Sequence, residues 1–347
     1  MEKKYFRKFV KNLRPNFSHI YVENDACSYP LTKIILSKFS ISNIIKINHY
    51  KDIFNRGGQD FQLQKSSMNL ILAKKKEPFL YPASEMVQEY DTPNTFYNTP
   101  ILNCLYNCDY CFLQGMYDSG NIVIFVNEDD LMNAIDKKAD DREDPSKPMV
   151  VSISYNTDIL ALENIIPLTE RWINFAKKRH DVLIEVRTKS ANFNSIKHIG
   201  PVENVILSWT LSPQYICDRY EHGTPPLKYR VKALKNAIDR GWTARICFDP
   251  IILIDNWYDL YSCFLRELFT DLDISKIKDV TLGVFRMNKD YFKRILKREV
   301  KSDLYYDDYS VENGTIVIES KQRDDALNSI EDVISEFIPK SKILTWR

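Results

Sequence analysis

Between residues 96 and 286, short apolar runs rich in β-branched residues alternate with amphipathic helical stretches. No other feature narrows the possible folds as far. Strands are predicted at about 96–103, 121–126, 149–155, 182–188, 203–211, 243–249 and 280–286, each run ending in a polar turn. Helical spacing connects many of them, from Ile166 to Lys178, Leu227 to Ile238 and Trp257 to Leu272. Gly241 stands where a helix end favours a left-handed residue. Such alternation builds βα units, and so an α/β protein with a parallel sheet or barrel.

The flanks read differently. Residues 1 to about 90 hold a helical stretch from Tyr29 to Phe39 and apolar runs at Ile44–Ile47 and Asn69–Ala73. Pro78, Pro82 and Pro93 mark a boundary after them. Beyond the last predicted strand, a basic helix carries Lys289, Lys293, Arg294, Lys297, Arg298 and Lys301. Asn313-Gly314 between β-formers predicts a hairpin, and Ala326 to Phe337 a final amphipathic helix. The expected division is an N-terminal α/β region over 1–92, a barrel over 93–278 and a C-terminal helix, hairpin and helix over 279–347.

The 347 residues carry a net charge of +1, with 44% hydrophobic and 27% charged residues. That balance excludes a disordered chain and one that grips nucleic acid by bulk charge alone. Neither a membrane-length apolar run nor a signal-peptide pattern at Met1–Lys8 is present. A cytoplasmic protein with no membrane partner is expected, with thiols reduced. Seven cysteines, an odd number, also argue against a complete disulfide framework.

Parallel βα folds collect their chemistry at the C-terminal ends of the strands. Polar groups gather there: Tyr155-Asn156-Thr157-Asp158, Thr188-Lys189-Ser190, Ser208-Trp209-Thr210 and Asp249-Pro250. The most specific signal is Cys104-Leu-Tyr-Asn-Cys108-Asp-Tyr-Cys111. Structural zinc wants four protein ligands, and the nearest histidines in sequence are His49 and His180. Three thiolates suit a [4Fe–4S] cluster with one iron left open; zinc or purely structural cysteines are the lesser readings. In radical S-adenosylmethionine enzymes the open iron binds the amino and carboxylate groups of that cofactor. Tyr110, directly before the third cysteine, fits their usual pattern.

The likeness extends further. Tyr21-Val-Glu-Asn-Asp-Ala-Cys-Ser-Tyr29-Pro30-Leu31, Cys108-Asp-Tyr-Cys-Phe-Leu-Gln114 and Arg219-Tyr-Glu-His-Gly223-Thr224 resemble the spore photoproduct lyase family. So do Asp249-Pro-Ile-Ile-Leu-Ile-Asp-Asn-Trp257 and Phe337-Ile-Pro-Lys-Ser-Lys-Ile343. The resemblance implies a partial (β/α) TIM-type barrel of the radical SAM type, with a C-terminal hairpin that probes DNA. It implies reversal of a methylene-bridged thymine dimer in DNA bearing the UV photoproduct, and an external one-electron donor such as flavodoxin or ferredoxin. By position, Cys104, Cys108 and Cys111 hold the cluster. Tyr110, Thr157, Asp158, Lys189 and Ser208 bind S-adenosylmethionine, and the basic helix supplies phosphate contacts through Lys289, Lys293, Arg294, Lys297 and Arg298.

Two departures stand out. Where family members carry a cysteine that returns hydrogen to the thymine radical, this chain has Tyr155, and the tyrosine after the third cluster cysteine is Phe112. Tyr110, the other tyrosine of that relay, is kept. A phenol O–H donates hydrogen atoms as a thiol does, which makes Tyr155 the candidate donor. The hairpin region offers Tyr305, Tyr306 and Tyr309 interleaved with Asp307, Asp308 and Glu312, a poor match to phosphates. The other cysteines, Cys27, Cys217, Cys247 and Cys263, read as small buried hydrophobes. Alternatives are a family member acting on a modified nucleotide, RNA or peptide, and a cluster-bearing DNA-binding protein without catalysis.

Overall fold

The structure is a computed structural model that describes residues 16–84, 92–298 and 300–347. The Met1–Lys8 segment and Glu299, within the basic stretch, lie outside the described residues. An eight-stranded sheet runs in the order Ile343–Thr345, Ile277–Val284, Ala244–Ile251, Val205–Thr210, Val182–Thr188, Met149–Ser152, Thr95–Asn98 and Leu80–Pro82. Every neighbouring pair is parallel except the last. The sheet curls into a half-barrel, with the predicted helices observed at Leu168–Ala176, Leu227–Asp239 and Trp257–Thr270.

A second sheet orders Asn43–Ile47, His19–Glu23, Leu70–Ala73, Ile122–Phe125 and Ile101–Leu102. Two expectations change here. The single strand at 96–103 divides into Thr95–Asn98 in the half-barrel and Ile101–Leu102 in this second sheet. Pro100 stands at the break; it has no N–H to donate and pushes Thr99 out of a free choice of backbone angles. The strand expected at 121–126 pairs parallel with Leu70–Ala73 rather than with the barrel. Strand pairing therefore runs across the expected divisions at 92 and 278.

The half-barrel interior is polar at its floor. Arg245, fully buried, bonds both oxygens of Asp279 and reaches Glu185 Oε1 at 3.1 Å. Burial alone would raise the Glu185 carboxyl, but Arg187, Arg245 and the Ser208 hydroxyl outweigh it and hold the group at about 2. A buried charge is tolerable only when paired and hydrogen-bonded in this way.

The C-terminal region folds as Arg286–Asn288, the helix Lys289–Leu296, and the hairpin strands Ser310–Glu312 and Thr315–Val317. Asn313 and Gly314 take φ of 47° and 77°, the left-handed pair a two-residue hairpin turn demands. The final helix is Ser320–Ser335. Gly115 lets the short helix Leu113–Met116 lie against the basic helix, because a Cβ there would come within 2.6 Å of Tyr291 backbone atoms.

Candidate active site

The cysteine loop is held from several sides. Asn103 adopts φ 72°, and its buried side chain bonds Ser119 O and Asn121 O, so the chain turns out of the second sheet at a fixed point. Asn107–Cys108 pairs antiparallel with Glu221–His222, and Asp109 N–H donates to Tyr220 O at 2.8 Å. Lys65, from the N-terminal region, donates to the carbonyls of Cys104 and Tyr106. The Tyr110 hydroxyl donates to Glu221, which is itself paired with the buried Arg230.

Cys104, Cys108 and Cys111 are free thiols lining one cavity of about 450 Å³ at the C-terminal ends of the strands. Among the described residues no three His, Cys, Asp or Glu side chains come together as a site for a single metal ion. Three thiols lining one cavity are the donor set of a [4Fe–4S] cluster with one iron open, and the Tyr106 N–H lies 3.4 Å from Cys104 Sγ. Burial pushes all three thiols up, Cys104 to about 12. Loading a metal centre must therefore release protons.

The neighbouring wall is built by Asp158. Its Oδ1 accepts from Ala161 N and from Thr188 Oγ1, and its Oδ2 accepts from Lys189 N at 2.7 Å. With both oxygens committed, the carboxylate fixes two strand ends against each other. Lys189 is half-buried, with Nζ 5.2 Å from the centre of the Tyr110 ring. Burial disfavours its charge, yet Cys108 and Glu221 more than offset that and the ammonium is held above its usual range. Thr157 Oγ1 is buried in the cavity wall with no partner among the described residues. Such an orphan is a polar group awaiting a ligand. Ser208 does not line the cavity: its hydroxyl bonds Glu185 at 3.0 Å in the floor, and Thr210 takes the lining position.

The facing wall is aromatic. Tyr155 stacks on Tyr97, ring centres 4.2 Å apart, and lies 5.6 Å from Phe112. Phe96, Tyr291 and the half-buried Arg187 complete it. Arg286 also borders the cavity, paired with Asp249 at 2.8 Å.

The proposed nucleic-acid residues divide. Lys293 and Lys297 are exposed and Lys289 is half-buried. Arg298 instead donates to the carbonyls of Gln114 and Tyr117, and Arg294 reaches Met116 O at 3.3 Å. Both arginines thus pin the helix to the segment after the cysteine loop. Of the three tyrosines near the hairpin only Tyr306 is exposed; Tyr305 donates to Asp109 O, and Tyr309 packs with it around Phe285 and Phe292. Glu312 is partly neutralised by Arg323 at 3.2 Å. Among the remaining cysteines, Cys217 and Cys247 are buried as expected, whereas Cys27 is half-buried and Cys263 exposed. Sequence reasoning missed Lys65, Glu221, Arg230, Tyr97 and Arg187; Lys65, Glu221 and Tyr97 meet partners on distant segments.

A parallel half-barrel with three thiols at its mouth and a cation–hydroxyl wall beside them defines a radical S-adenosylmethionine enzyme, with that cofactor and a [4Fe–4S] cluster. The family profile of spore photoproduct lyase matches residues 15–346, and the chain belongs to that family as a radical SAM lyase. The fold is similar to a cysteine-to-alanine variant of spore photoproduct lyase at TM-score 0.79 and 19% identity, over 95% of this chain and 98% of that one. It is also similar to a doubly substituted variant with bound AdoMet and dinucleoside spore photoproduct, at 0.78 and 19%, over 96% and 99%. A third likeness is to spore photoproduct lyase complexed with dinucleoside spore photoproduct, at 0.78 and 18%, over 96% and 99%. A search of curated protein sequences finds no significant match. Among the described residues no helix is long and apolar enough to cross a membrane.

Proposed function

We propose that this lyase reverses a thymine-dimer photoproduct in DNA, in the cytoplasm, with Tyr155 as its hydrogen donor. One observation carries the reading: a single cavity joins the three thiols and the Thr157–Asp158–Lys189 wall to an aromatic wall suited to stacking bases. Cys104, Cys108 and Cys111 would hold the [4Fe–4S] cluster, whose chemistry when bound would be the one-electron reductive cleavage of S-adenosylmethionine.

The chain's own residues do the rest. Asp158 positions Lys189 through its backbone N–H, and Lys189 and the Thr157 hydroxyl offer a charge and a hydrogen bond to the cofactor's polar groups. Tyr110 presents its ring to the same space, oriented by Glu221. Ser208 acts through Glu185, as a positioning residue. A thymine pair must leave the duplex stack to enter such a cavity, where Tyr97, Phe112 and Tyr155 supply faces for it. Tyr155 then gives the hydrogen of its hydroxyl to the product radical; burial keeps that phenol protonated by pushing it up. Lys289, Lys293 and Lys297 contact phosphates, while Arg294 and Arg298 hold their helix in place. A flavodoxin- or ferredoxin-type protein supplies electrons.

The test is anaerobically reconstituted protein with reductant, S-adenosylmethionine and an oligonucleotide bearing the spore photoproduct. Mass spectrometry should find restored thymine pairs together with 5′-deoxyadenosine. Deoxyadenosine without restored thymines would overturn the assignment of substrate. Tyr155→Phe should lower the yield or give adducts in place of clean thymine; an unchanged product would remove Tyr155 as donor.

A further inference from the structure

Tyr155 is the inner end of a stack. Its ring lies 4.2 Å from Tyr97 at an interplanar angle of 24°, and the Tyr97 ring lies 5.1 Å from Tyr81 at 19°. Tyr155 and Tyr97 line the cavity, whereas Tyr81 does not. It sits on Leu80–Pro82, the last strand of the half-barrel sheet, with Lys75 Nζ 3.1 Å from its hydroxyl. Three phenols in ring contact thus run from the reaction space to the sheet edge. Burial holds the Tyr155 and Tyr97 phenols in the O–H form, Tyr97 up to about 12.

A phenol that gives away a hydrogen atom is left as a phenoxyl radical and must be restored before the next turnover. We infer that Tyr97 and Tyr81 restore it, as a relay that carries the oxidising equivalent outward from Tyr155; this rests on Tyr155 being the donor. The Tyr155 O–H bond breaks and its electron and proton form the new C–H bond of the product. Tyr97 then passes one electron and one proton to the Tyr155 phenoxyl, and Tyr81 does the same for Tyr97. The Tyr81 phenoxyl takes one electron from an external flavin or iron–sulfur donor and one proton from water. Each repair draws its hydrogen from the protein, so one S-adenosylmethionine is consumed per lesion.

Directly opposed aromatic pairs also stabilise antiparallel strands, and Tyr81 and Tyr97 are such a pair. Phenylalanine variants separate the two roles, because they keep the ring and remove only the O–H. Tyr81→Phe, whose ring lies outside the cavity, should repair normally in a single turnover and then slow by about tenfold or more over many, the mark of a lost step rather than lost binding. Tyr97→Phe should show the same drop from its own first turnover to later ones. Freeze-quench electron paramagnetic resonance should show a tyrosyl radical persisting in each, and wild-type protein should form one 5′-deoxyadenosine per restored lesion. Undiminished multiple turnover in both variants without a persistent radical would overturn the relay, as would a deoxyadenosine count far below the lesions repaired. Tyr155→Phe decides the donor separately: impaired repair there with intact Tyr97→Phe and Tyr81→Phe defeats the relay alone, and clean repair there defeats both.

Discussion

The two walls of the cavity are built on opposite principles. On the cysteine side, polar groups are committed to buried partners: Lys65 to the loop carbonyls, Tyr110 to Glu221, Glu221 to Arg230, Asp158 to three donors. On the facing side Phe112, Tyr155 and Tyr97 are held chiefly by ring packing. A network of buried hydrogen bonds loses heavily when one member goes, because its partner is stranded without water. Stacked rings tolerate exchange far better. The proposed hydrogen donor, Tyr155, stands on the tolerant wall, and the residues proposed to hold the cluster and cofactor stand on the other.

The sharpest test of that contrast is Cys108→Ala. Iron content after reconstitution should fall well below that of wild type and repair should vanish, since Cys104 and Cys111 alone leave the cluster one thiolate short. Arg230→Met comes next. It leaves the Glu221 carboxylate buried without its cation, a loss of about 3–5 kcal/mol that chemical denaturation would measure. Tyr97→Phe on the facing wall should stay within about 0.5 kcal/mol. Equal costs for the two would end the comparison.

The floor beneath both walls adds a pH dependence. Glu185 is held at about 2 against an ordinary 4.5, because Arg187, Arg245 and Ser208 outweigh the cost of its burial. A carboxyl depressed in the folded state adds stability that is fully present above its unfolded value and is lost as pH falls through the folded one. Stability should therefore decline from about pH 4.5 toward about 2. Glu185→Gln should flatten that part of the acid limb at the cost of a lower plateau near neutrality, read by urea midpoints at each pH.

Legibility in the sequence followed the distance over which each feature is encoded. The cysteine loop lies within eight residues, and the strand ends bearing Thr157, Asp158 and Lys189 follow from local alternation of strand and helix. Lys65 meets Cys104 across 39 residues, and Tyr110 meets Glu221 across 111. Only the closed fold brings them together. The tyrosine stack depends on strand register, Tyr81 opposite Tyr97, which no short window contains. Ser208 lies on Val205–Thr210, and the side-chain layer it occupies, against Glu185, depends on the curl of the sheet. Pro100 was a local signal for the divided strand, and the apolar run around it masked the break.

The smallest effects concern the basic helix and the turn that follows it, Lys297 and Arg298, and they separate two kinds of cation on one segment. Lys293 and Lys297 are exposed, while Arg294 and Arg298 spend their guanidinium groups on the carbonyls after the cysteine loop. A side chain that neutralises a phosphate releases counterions, so its removal lowers the salt dependence of DNA affinity by about one unit of slope. Lys293→Ala and Lys297→Ala should each do so while leaving iron content and thermal stability unchanged. Arg298→Ala should leave the slope unchanged and lower the melting temperature, because its loss frees the Gln114 and Tyr117 carbonyls and unfastens the helix from the loop. If the arginine variant changes the slope and the lysine variants do not, then the helix meets DNA through the face that packs on the cysteine loop, and the two must part when DNA binds.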